Sequence, residues 1–212
     1  MEMKILFRLI RKNCLLFVLF VSGIFLSTQC KDDVSSNFIQ YYYCIDSMYC
    51  DGVNEYDGII SFNFGLISSN ASKTQIDSMR SLYNDNHYNE VIDEDNIGGE
   101  VLINHLDSIH IVSDADFNET HPAGALLDDL FDVGIYGYYD YLTSNYGRDG
   151  DCQWQFSKKI SEFEYKDGHL INSFGLSIPN NVNPIEKEHN LTITYYFTNL
   201  KPQILKYKVV FK

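Results

Sequence analysis

Apolar and polar residues alternate along much of this chain with a two-residue period, the pattern of a strand with one buried face. Ile60-Ser61-Phe62-Asn63-Phe64-Gly65-Leu66 alternates strictly and places Ile60, Phe62, Phe64 and Leu66 on one side. Ile204 to Phe211 does the same with Leu205, Tyr207, Val209 and Phe211, leaving Lys206 and Lys208 for a solvent face or a protected edge. Phe38 to Ile45, Gln153 to Tyr165 and Leu191 to Phe197 are rich in aromatic and β-branched residues and predict further strands. Leu106 to Val112 predicts another, although its anchors Leu106, Ile109 and Ile111 are not evenly spaced.

Helical spacing occurs in two places. Lys73 to Tyr83 sets Ile76, Met79, Leu82 and Tyr83 on one face, with Ser72 or Thr74 as cap, and Pro122 to Phe131 groups Ala123, Leu126, Leu127 and Leu130 behind a proline suited to a first turn. Asn84 to Gly99 is polar and reads as a long loop, and Asn199-Leu200-Lys201-Pro202 as the turn of a C-terminal hairpin. Together these elements predict a mainly β fold: an antiparallel, immunoglobulin-like β-sandwich with Greek-key links and one or two short helices.

Composition adds weight to this. Tyr (16) and Phe (14) dominate over a single Trp, as suits half-buried strands. The formal net charge of −13 repels phosphate backbones and excludes a nucleic-acid partner.

The first residues follow a different pattern. Lys4, Arg8, Arg11 and Lys12 precede an apolar run from Cys14 to Leu26 that is too short for a spanning helix, the layout of a signal peptide. Three parts follow: a signal peptide (1–29), a lipidated cysteine with a polar tether (30–36), and a single β-sandwich domain (37–212). Leu26-Ser27-Thr28-Gln29-Cys30 resembles a bacterial lipobox, with Gln29 departing from the usual small residue. That resemblance implies diacylglycerol on Cys30 and attachment to a membrane through it. Lys31, Asp32 and Asp33 resemble the export signal of surface lipoproteins in Bacteroidota, which implies an outer-membrane location facing the cell exterior. The stretch Asp107 to Asn118, followed by His121-Pro122-Ala123-Gly124 and Leu126 to Phe131, looks like a block recurring in Bacteroidota surface lipoproteins of unknown function, and Tyr165 to Lys212 is similar in layout. The resemblance implies a lipid-anchored, mostly β domain and carries over no binding or catalytic residues.

Candidate chemistry is sparse. After Cys14 and Cys30, the cysteines Cys44, Cys50 and Cys152 allow one disulfide, closing a small loop from Cys44 to Cys50 or using Cys152, with three reduced thiols as the alternative. No C-x-x-C or H-E-x-x-H pair offers a zinc site and no G-x-S-x-G elbow offers a nucleophile. His105 and His110 read as surface or turn residues. Calcium is the one cofactor the sequence motivates. Asp114, Asp116 and Asn118 have the alternate oxygens that open an EF-hand, but Glu119 stands where that loop needs glycine, so the alternatives are a cation in a β loop or ordinary turn capping. Ser47, Ser78 and Ser108 each follow an aspartate and precede an apolar residue, resembling the O-glycosylation acceptor of Bacteroidota envelope proteins. Tyr136, Tyr138, Tyr139 and Tyr141 lie in a glycine-flanked stretch that reads as an exposed contact loop.

The functional expectation is a non-enzymatic envelope protein that binds a glycan or a partner protein. The alternatives are a structural or accessory component of an envelope complex and a carboxylate-based hydrolase.

Overall fold

The computed structural model describes residues 38–90, 99–146 and 154–211. The chain divides into two units, Met1–Ser35 and Ser36–Lys212. Cys30, Lys31, Asp32 and Asp33, with the whole signal segment, lie outside the described residues, as does Cys152.

Among the described residues nine strands form two sheets. The larger holds β1 (Ile39–Tyr56), β2 (Ile59–Asn70), β3 (Gly99–Leu102), β5 (Asp132–Gly137), β6 (Trp154–Lys159) and β7 (Ile171–Pro179) in the order β3-β1-β2-β7-β5-β6. The smaller holds β4 (Leu106–Ser113), β8 (Glu188–Phe197) and β9 (Gln203–Val210) in the order β4-β8-β9. All pairings are antiparallel except β1 with β3, which makes the larger sheet mixed. The fold is the mainly β sandwich that the alternation predicts. Phe62, Val133, Ile135, Leu176 and Ile178 from one sheet meet Ile109, Ile111, Ile193, Tyr195 and Tyr207 from the other in one continuous core.

The uneven spacing in β4 has a local cause. Leu106 pairs with Phe197 but Ser108 already pairs with Tyr196, so Asp107 is the extra residue of a bulge that returns Leu106 and Ile109 to the same buried face. Helix α1 spans Lys73–Tyr83 as its spacing predicts. Ser72 caps it with Gln75 in a reciprocal capping box, and it ends at Asn84 in a left-handed conformation. Its inner side chains Ile76, Met79 and Tyr83 pack on a second core of Ile39, Tyr42, Val101, Tyr138, Tyr141 and Leu142. There the buried Asp85 accepts hydrogen bonds from the hydroxyls of Tyr42 and Tyr146, 2.8 Å each.

Three expectations are corrected. Pro122 to Phe131 is not a helix: Gly124 sits at φ +82°, and the segment runs beside β4 as an irregular edge cover. Leu127 donates its N–H to the Ile111 carbonyl, and the Asp128 carboxylate accepts from the Ile111 N–H. The segment's hydrogen bonds therefore satisfy an exposed strand edge in place of a helical turn. The tyrosine-rich stretch is not an exposed loop. It ends β5 and forms the short helix α2 (Tyr139–Thr143), with Tyr138 and Tyr141 buried. Cys44 and Cys50 are both free thiols on β1. Six residues of strand separate their Cα atoms by about 20 Å, far beyond the roughly 7 Å limit for a disulfide.

Candidate functional site

A trough crosses the solvent-facing side of the larger sheet. Alternation sends Ile60, Phe62, Val133, Ile135, Leu176 and Ile178 inward, so the residues between them face out. Strand register then lines these outward residues into rows. Asn54, Ser61, Ser177, Asp132 and Lys159 are successive cross-strand partners. One row over, Gly175 partners Gly134 and Gly134 partners Ser157. The next row holds Tyr136 opposite Ser173. The result is a glycine-floored depression between a polar row and a tyrosine, part of an open cavity of about 910 Å³.

Strand divergence deepens it. The β2–β7 ladder runs from Ile59–Pro179 to Phe62–Leu176 and stops, while β2 continues to Asn70 and β7 starts back at Ile171. At that fork Phe64 and Phe174, both half-buried, meet with ring centroids 4.8 Å apart and line the cavity from below. Asn63 and Asp51 border the opening.

Gly175 gives the trough its shape. A Cβ built on it would meet nothing within 4 Å, and its backbone is not in the left-handed region. Neither packing nor conformation requires glycine there, yet a strand-interior glycine costs about 0.5–1 kcal/mol. Glycine at this position, cross-strand from Gly134, leaves its part of the floor empty. Asp51 is the one charged residue among the described residues lining the cavity, and the neighbouring Asp132 is ion-paired to Lys159 at 3.0 Å.

The residues singled out from sequence do not converge. Tyr136 lies on the outer face one row beyond Gly134, outside the residues that line the cavity, whereas Tyr139, on α2, is half-buried and faces His169. Asp114 accepts from the backbone and side chain of Asn190, Asp116 accepts from Ala123 N, and Asn118 accepts from Thr120 and His121, so each serves its own turn or strand end. Among the described residues no group of three or more His, Cys, Asp or Glu is placed to hold a metal ion. Ser47 and Ser108 are half-buried on strands and Ser78 is exposed on α1.

The sequence reading missed a histidine pair. His105 is buried, not a surface residue. Its Nδ1 lies 2.7 Å from Asp107 and its Nε2 2.6 Å from the Tyr165 carbonyl, so both nitrogens face acceptors. His169 lies against it with the rings tilted by 52° and centroids 3.9 Å apart, and bonds the Tyr83 hydroxyl through Nδ1. Burial, then repulsion by His105, pulls His169 down to about 4. No spacing rule could reveal this pair, because 64 residues and several strands separate its members. Since the unfolded chain binds a proton on His169 near pH 6.5 and the folded chain does not, stability falls as pH drops from about 6.5 to about 4. Thermal melts across that window are expected to show this slope, and H169Q to flatten it; an unchanged slope in H169Q would count against the assignment. A second close pair, Ser113 Oγ and His189 Nδ1 at 2.7 Å, is fully buried, and His189 Nε2 donates to the Glu186 carbonyl, so this pair ties β4 to β8.

Comparison with protein-family models, with curated proteins and with solved structures finds no match.

Proposed function

We propose that this chain is a lipid-anchored protein of a bacterial outer membrane, held by diacylglycerol on Cys30 and turned toward the cell exterior by Lys31-Asp32-Asp33, that binds a glycan or partner protein in the trough. Gly175 carries the reading: it leaves a polar depression open at a stability cost that packing does not explain. The trough supports a binding protein over a hydrolase. Glycoside hydrolysis uses two carboxylates, and the described lining residues supply Asp51 alone.

Two variants, with the wild type beside them, test this. C30A is expected to move the protein from the membrane pellet to the soluble fraction, and proteinase K added to intact cells is expected to degrade wild type. Persistence of C30A in the pellet would remove the lipid anchor from the account. G175Q is expected to melt at or slightly above the wild-type temperature while losing retention of envelope carbohydrate or protein. Equal retention by both proteins would remove the trough.

A further inference from the structure

We propose that the occupant of the trough is an uncharged, extended oligosaccharide lying across the strands, about three sugar units long; this rests on the trough being the binding site. Direction is the first argument. The floor runs from Asn63 over Gly175 and Gly134 to Ser157, perpendicular to β2, β7, β5 and β6. A polypeptide added to a sheet runs along a strand and needs a free edge. β5 has none, because it is paired with β6 on one side and β7 on the other. A ligand that crosses β5 must therefore use side chains and ring faces and not ladder hydrogen bonds.

The lining chemistry fits a sugar. Ser61, Ser177, Ser157, Asn54 and Asn63 present hydroxyls and amides, which both donate and accept, as sugar hydroxyls do. Phe64 and Phe174, packed on each other and on the core ring of Tyr195, add an apolar patch to the cavity at the fork, where the C–H face of a pyranose can rest. The paired strands β7, β5 and β6 set two spacings of about 4.8 Å, close to one pyranose unit each, and the β2–β7 fork, where that ladder has ended, sets the third interval. Charge sets the class. No Lys or Arg is among the described lining residues, Lys159 at the end of the polar row is ion-paired to Asp132, Asp51 is an acid, and the chain carries −13, so uronates and sulfated sugars are repelled.

The test is an array of glucose-, mannose-, galactose- and xylose-based oligomers of two to six units, beside uronate-bearing and sulfated ones and a displayed heptapeptide library, probed with the full chain in detergent. The expected result is binding to at least one neutral series, with affinity rising to three or four units and then level. G175Q and S157Q are expected to weaken it at least tenfold with melting temperatures unchanged, and K206Q, on the outer face of the smaller sheet, to have no effect. Ser157 is exposed and Gly175 faces open space, so both variants are expected to fold. Preference for acidic sugars would overturn the proposal. So would capture of peptides lost in G175Q but kept in S157Q, which would instead place a strand in the β2–β7 fork and leave the trough as a binding site. No binding by any class would overturn both readings.

Discussion

Replacing Lys158 with methionine is expected to destabilise the protein by about 3–5 kcal/mol, the range for breaking a buried ion pair and stranding its charge. The stranded group is Asp167, whose side chain is 2% exposed. Lys158 Nζ lies 2.6 Å from Asp167 Oδ2, and the same oxygen accepts from the Glu164 N–H at 2.8 Å. Asp167 sits in the 3-10 turn Tyr165–Gly168, which packs against the start of β4: a Cβ on Gly168 would lie 1.9 Å from the Leu106 carbonyl oxygen. The ion pair thus holds a turn against the smaller sheet, beside His105. The reverse change, D167A, is expected to cost less, about 1–3 kcal/mol, because Lys158 is 22% exposed and already partly hydrated, so the main loss is the acceptor of the Glu164 N–H. Denaturant midpoints of the two variants check the order. A K158M loss under about 1 kcal/mol would show that water reaches Asp167.

Tyr138 is expected to matter for folding and Tyr136 for binding. Truncating Tyr138 to alanine removes a fully buried ring from the second core and is expected to cost about 3–5 kcal/mol, as for other large aromatics. The ring lies against Gly99, where a Cβ would fall 1.7 Å from the Tyr138 hydroxyl oxygen, so β3 is seated directly on it. Y136A changes a half-buried ring on the outer face beside Gly134 and is expected to stay within about 1 kcal/mol of wild type. Thermal denaturation separates the two. Similar losses in both variants would show that Tyr136 is also part of the core.

These two tyrosines mark how far the sequence could be read. Its pattern of tyrosines and glycines between Gly134 and Gly147 is the pattern of a loop, yet glycine was there for two other reasons. Gly134 lines the trough across from Gly175, and Gly137 lets the backbone of Leu170 approach, with its carbonyl 3.1 Å from a built Cβ. β5 and β7 escape sequence reading because glycine, a weak strand former, stands at their outward positions, Gly134 between Val133 and Ile135 and Gly175 between Phe174 and Leu176. The trough was therefore illegible: the residues that make it are the small ones that weaken a strand signal. Capping, by contrast, is local chemistry, and Ser72 with Gln75 was readable to the residue.

Sequence alone determined the local elements whose physics is local. Two-residue alternation fixed the inward faces of β2 and β9, and 3.6-residue spacing with a capping box fixed α1. Tertiary structure decided everything that depends on a neighbour distant in the chain. An open strand edge turned Pro122–Phe131 from helix to edge cover, because its N–H groups found partners on β4. Register brought Gly175 to Gly134, and a turn brought His169 to His105. Pairing partners in a sheet are set by which buried faces meet, and no stretch of alternating residues specifies the strand that will lie beside it.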